Sequence, residues 1–108
     1  APSLDNVKLL LENGAQIVAY DPVAADNFRK VYPEGAAGRG SIAYADTPEE
    51  TLADANICFV FTEWEQIRSL SPEVFKERMR IPLVYDGRNV FDVERMKEAG
   101  IEYYSIGR

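Results

Sequence analysis

A chain of 108 residues can bury roughly 60 to 70% of its unfolded surface, enough for a real core in one domain of ordinary size. Its 12 Lys and Arg against 18 Asp and Glu leave a net charge of −6 with no acidic block, a balance that repels nucleic acid and anionic membranes and leaves any phosphate ligand to a few local cations. One cysteine and no histidine exclude an internal disulfide framework and a Cys/His zinc site, remove the usual neutral-pH general base, and fit a reducing cytoplasm. No apolar run has the length of a membrane span or the pattern of a signal peptide.

Ser3 reads as the N-cap of a first helix, with Leu4, Val7, Leu10 and Leu11 at helical spacing until Gly14 ends it. Gln16 to Tyr20 follows as a strand. Asp21-Pro22 then breaks it, a turn opener that also matches the acid holding a ribose hydroxyl in some α/β folds; the turn is the reading adopted. Ala24 to Tyr32 is a helix. Pro33 to Ser41, with three glycines in nine residues, is a surface loop and the most mobile stretch expected.

Ile42 to Tyr44 is a short strand, and Thr47-Pro48-Glu49-Glu50 opens a short helix with a cap, an N1 proline and an acid. Ile57 to Phe61 is continuously apolar, the pattern of a central parallel strand covered on both faces, and it makes Cys58 a buried, inert thiol. Thr62, Glu63 and Trp64 close that strand at its carboxyl end. Trp64 has two readings, core packing with Ile67 and Leu70 on one helical face or a place on the rim of a site.

Ser71-Pro72 starts another helix with Val74, Phe75 and Met79 inward. Leu83 to Tyr85 is a buried strand that turns sharply at Asp86-Gly87-Arg88-Asn89, and a helix follows from Asp92 with Val93 and Met96 inward until Gly100 stops it. Ile101 to Ile106 is the last strand. Carboxyl ends of strands are where open α/β sheets bind ligands, and the planar guanidinium of Arg88 suits phosphate or carboxylate oxygens; read alone, Arg88 is a solvated turn residue.

Strands alternating with helices, without an internal repeat, predict an α/β, Rossmann-like, doubly wound and mainly parallel sheet in three layers. The chain opens on a helix, so the usual first strand is expected to be absent, leaving two unpaired strand edges around an empty slot. The fragment then either pairs with another copy through those edges or rearranges its sheet.

Gly14-Ala15-Gln16-Ile17-Val18-Ala19-Tyr20-Asp21-Pro22, Thr62-Glu63-Trp64, Asp86-Gly87-Arg88-Asn89 and Ser105-Ile106-Gly107-Arg108, in this order and spacing, resemble the C-terminal, UDP-binding domain of the UDP-glucose 6-dehydrogenase family. Thr62-Glu63-Trp64 looks more like the UDP-glucose enzymes than the related GDP-mannose or UDP-N-acetylmannosamine dehydrogenases. The resemblance implies that residues 1–108 are a single UDP-binding domain, the C-terminal part of a larger cytoplasmic enzyme. That enzyme would oxidise the C6 alcohol of UDP-glucose to the carboxylate of UDP-glucuronate in two NAD-dependent steps, as a homo-oligomer of three-part subunits.

By the same resemblance NAD binds mainly to another domain and the catalytic cysteine lies in a middle helical region, so no residue here is catalytic and Cys58 is not that cysteine. Arg88 matches the arginine that contacts the UDP portion of the substrate. Asp86 and Gly87 shape its loop, Asn89 is a further polar contact, and Thr62, Glu63 and Trp64 line the same rim. A lysine and its neighbours, which the family uses after the domain's first strand, are expected to precede Ala1. The alternatives are a stand-alone nucleotide-binding or subunit-interaction module without catalysis, and a carboxylate hydrolase using Asp21, Glu63 and Asp86, for which no metal-ligand spacing or activated pair is present.

Overall fold

The computed structural model describes residues 2–23 and 25–106, without the side chains of Pro2, Ser3, Leu4 and Ala25. Ala24, the expected start of the second helix, and Gly107-Arg108, the end of the fourth motif, lie outside these residues. The chain forms two compact units, residues 1–47 and 48–108.

In the first unit, α1 (Pro2–Glu12) is followed by β1 (Gln16–Ala19), α2 (Ala25–Val31), β2 (Gly35–Ala37) and β3 (Gly40–Tyr44). Ser3 is already helical and not a cap, since α1 begins at Pro2. The helix ends as expected at Gly14: the Gly14 N–H donates to the Leu11 carbonyl and the Ala15 N–H to that of Leu10, the paired bonds that close a helix through a left-handed residue. Val7 and Leu11 from one face of α1 bury against Ile42 of β3, with Ile17, Phe28 and Tyr32 packed around them. The Asp21 carboxylate accepts from the Val23 N–H at 2.8 Å, the side-chain turn expected of Asp-Pro.

Residues 33–41 are not the loop expected from their glycines. They supply β2 and the start of β3, which pair antiparallel from Gly35↔Ile42 to Ala37↔Gly40. Gly38, at φ 57°, makes the tight turn between them, so glycines that read as loop signals serve a two-stranded hairpin. Gly40 meets the chain from the other side: a Cβ there would lie 2.0 Å from the Ala15 carbonyl oxygen, whose group accepts the Ser41 N–H as β3 joins β1. β1 and β3 run parallel, giving the order β1-β3-β2.

The second unit comprises α3 (Pro48–Leu52), β4 (Cys58–Val60), α4 (Glu65–Arg68), α5 (Pro72–Arg78), β5 (Leu83–Asp86), α6 (Val93–Glu98) and β6 (Glu102–Ser105). Its sheet is all parallel in the order β4-β5-β6. One face carries Val60, Val84 and Tyr103 into a core with Leu52, Phe75, Met79, Phe91, Met96 and Ile101. The Asp92 carboxylate caps α6 by accepting the Arg95 N–H at 3.0 Å, whereas Ser71 precedes α5 without a side-chain cap and relies on Pro72. The opposite face exposes a ladder of rings: Phe59 on Tyr85 at 5.9 Å and Tyr85 on Tyr104 at 4.9 Å.

The chain is therefore α/β and Rossmann-like, with parallel pairing everywhere except between β2 and β3. Two expectations are corrected. Among the described residues the strands form two three-stranded sheets and not one, and β4 is an edge strand with Phe59 37% exposed, because there it pairs with β5 alone. Among the described residues β1 likewise pairs on one side only. No helix among the described residues is long and apolar enough to cross a membrane.

The contact at Gly40 sets the first test. Gly40→Ala forces backbone to move against Ala15 and is expected to cost about 1–3 kcal/mol, read as a lower urea midpoint.

Candidate functional site

The site is assembled at the carboxyl ends of β4 and β5, which are parallel neighbours with Val60 opposite Asp86. Beyond this last pair the Gly87 N–H still donates to the Val60 carbonyl at 2.9 Å, drawing the two departing loops together. A Cβ on residue 87 would stand 3.2 Å from that same carbonyl oxygen, so glycine permits the close approach. Leaving side by side, the loops bring residues 62–64 up to Arg88.

Asp86 is 2% exposed, and its carboxylate collects four donors. Oδ1 accepts the Arg88 N–H at 2.9 Å; Oδ2 accepts the N–H groups of Val90 at 2.7 Å and Phe91 at 3.1 Å, and the Tyr103 hydroxyl at 2.6 Å. One buried anion thus fixes the path of residues 86–91 and ties it to β6. Asp86 is buried and holds the loop. Asn89, at φ 53°, clamps the same loop from outside: its amide donates to the Ile106 carbonyl at 2.9 Å and accepts the Ile106 N–H at 3.0 Å. This amide, expected to face a ligand, holds the end of β6.

With its backbone held, Arg88 extends over the rim, half-exposed, and its Nη2 lies 3.4 Å from Oε1 of Glu63. The other oxygen of Glu63, Oε2, lies 3.8 Å from Nη2 of Arg68. Arg68 is the residue that sequence reasoning missed. It stands on the single turn of α4, whose start is marked by the Arg68 N–H donating to the Trp64 carbonyl, and its Nε donates to the Glu63 carbonyl at 2.9 Å. The available signal was spacing: a long cation four and five residues after Trp64 and Glu63 folds back over them if one helical turn intervenes.

Thr62, Glu63, Trp64, Arg68 and Arg88 line one open depression of about 400 Å³. Trp64 is 42% exposed there and does not pack on the core, unlike Ile67 and Leu70. Each Glu63 ion pair is half-exposed and longer than a tight charge-assisted hydrogen bond, so each is worth at most about 1 kcal/mol. Among the described residues no group of three or more His, Cys, Asp or Glu side chains is placed to hold a metal ion. Cys58 is only partly buried by surface area, but it packs on the core, where desolvation, with the Asp86 carboxylate adding to it, pushes its thiol up to about 12. Asp21 belongs to the first unit and is engaged with Val23.

These features define a class: a Rossmann-like α/β chain with a cationic rim at the carboxyl ends of two parallel strands. Comparison with known proteins narrows it. The family model for the UDP binding domain of the UDP-glucose/GDP-mannose dehydrogenase family matches residues 1–93, and the chain belongs to this family. Its relatives include the UDP-glucose 6-dehydrogenases YwqF and TuaD of Bacillus subtilis, 32% and 34% identical, and the UDP-glucose 6-dehydrogenase of Pseudomonas aeruginosa, 37% identical. Each alignment covers all of this chain but only 22–24% of the relative, so the chain spans less than a quarter of their length.

Two measurements check the buried chemistry. Asp86→Asn keeps the shape but turns an amide N–H toward groups that need an acceptor. A loss of about 1–3 kcal/mol is expected, with faster hydrogen exchange at the amides of Arg88, Val90 and Phe91. Because the thiolate is the reactive form, moving the Cys58 pKa from 9.0 to about 12 lowers its population near neutral pH, and alkylation at pH 8 is expected about a thousandfold slower in the folded chain than in urea.

Proposed function

We propose that this chain is the substrate-nucleotide-binding part of an NAD-dependent UDP-glucose 6-dehydrogenase, which oxidises UDP-glucose to UDP-glucuronate, and that it holds the UDP end of the sugar donor. The observation that carries this reading is the pair of guanidiniums, Arg68 and Arg88, beside the exposed indole of Trp64 on a chain whose overall charge is −6. Such a chain attracts a polyanion only where cations are concentrated locally. Planar guanidiniums match diphosphate oxygens, and an exposed indole offers a flat apolar surface to a base. Arg88 takes the diphosphate, Trp64 the uracil, and Thr62 the rim between them. Asp86, Gly87 and Asn89 act through the loop they hold.

NAD binding is assigned to other parts of the parent enzyme. The three clustered glycines, Gly35, Gly38 and Gly40, lie on a hairpin and not on a strand-to-helix turn, so they do not fit a pyrophosphate cradle for a dinucleotide. The high pKa and packing of Cys58 likewise leave the chemical step to residues outside this chain. The match across residues 1–93 supports reading the two units as parts of one binding domain.

Calorimetric titration with UDP, UDP-glucose and GDP at low salt tests the reading. Both uridine nucleotides are expected to bind more tightly than GDP. Arg88→Ala is expected to weaken them about tenfold or more, the loss of one charge-assisted contact. Equal affinity for GDP, or binding indifferent to Arg88→Ala, would overturn it.

A further inference from the structure

Glu63 sits between the two cations of the depression. One of its oxygens faces Arg88 at 3.4 Å and the other faces Arg68 at 3.8 Å, so a single carboxylate bridges both guanidiniums of the depression. The backbone that carries each arginine is held without it. The Arg88 backbone is fixed by Asp86, and the Arg68 Nε is bonded to the main-chain carbonyl of Glu63, which survives any side-chain change. The loops that carry the two cations therefore meet without the carboxylate. It partly neutralises a site of two positive charges, through loose pairs that solvent already reaches.

We propose, resting on the nucleotide role above, that Glu63 is an internal counter-ion that occupies the anion position and is displaced by the ligand, and that Arg68 is the second cation of that position. With Glu63 swung out, the depression changes from a net charge of +1 to +2. It then favours a diphosphate, which can bridge both guanidiniums with at least two negative charges, over a monoanion that only replaces the glutamate like for like. Glu63 thus sets selectivity for ligand charge and keeps the empty rim from presenting two bare cations on a chain of net charge −6.

The test is calorimetry on the 108-residue chain with UDP, inorganic pyrophosphate and acetate, for the unmodified protein, Glu63→Gln and Arg68→Gln. Glu63→Gln is expected to tighten UDP and pyrophosphate about three- to tenfold and to narrow their advantage over acetate, since removing an exposed competing pair recovers only a modest affinity. Arg68→Gln is expected to weaken both about tenfold, with a shallower dependence on salt. Both substituted side chains are half-exposed, so the variants fold, which unchanged urea midpoints will verify. Unchanged binding by Glu63→Gln overturns the displacement, and weaker binding overturns it and makes Glu63 a positioning residue for Arg88. Indifference to Arg68→Gln removes Arg68 from the site. Pyrophosphate binding that follows this pattern without any preference for UDP would overturn the nucleotide role and leave the counter-ion standing; no binding by any of the three proteins overturns both.

Discussion

The carboxylate of Asp86 is the constraint on which the second unit's working edge depends. A buried acid with no partners would be costly, and this one is tolerated because three backbone N–H groups and the Tyr103 hydroxyl converge on it. The relation is reciprocal. The same N–H groups belong to a stretch that has left β5 and not yet entered α6, where the ladder and the helix supply them no acceptor. Their satisfaction by one side chain makes the loop a fixed object, and Arg88 inherits its position from that.

Above this rigid floor the chemistry is soft. Glu63, Arg68 and Arg88 are half-exposed, their pairs are long, and solvent screens them. The contrast between the levels is functional: the buried network holds backbone, while the exposed charges exchange one partner for another at small cost. A site built wholly from tight buried pairs would have no position for an incoming anion, and one built wholly from loose loops would pay an ordering cost each time it bound.

Membership of the UDP-glucose/GDP-mannose dehydrogenase family gives these charges a context. The chain corresponds to under a quarter of those relatives' length. The exposed ring ladder of Phe59, Tyr85 and Tyr104 and the open edges of β1 and β4 are the features least like those of a self-contained parallel sheet, which is ordinarily covered on both faces.

By itself the sequence determined the alternation of helix and strand, the helix start at Asp92 and the helix stop at Gly14, the inward faces carrying Phe75 and Met96, and the placing of residues 62–64 and 86–89 at strand ends. These are short-range properties, written in periodicity and backbone preference over a few residues. It misread residues 33–41 because glycine signals a bend without saying whether the chain beyond it pairs with the chain before. Only the tertiary structure decided that Asp86 is buried, that Asn89 clamps Ile106, that Trp64 faces outward, and that Glu63 stands between Arg68 and Arg88. Glu63 and Arg88 are 25 residues apart, and Asp86 and Tyr103 are 17 apart. Contacts across such distances depend on where parallel strands end in space, which the local pattern of neither segment encodes.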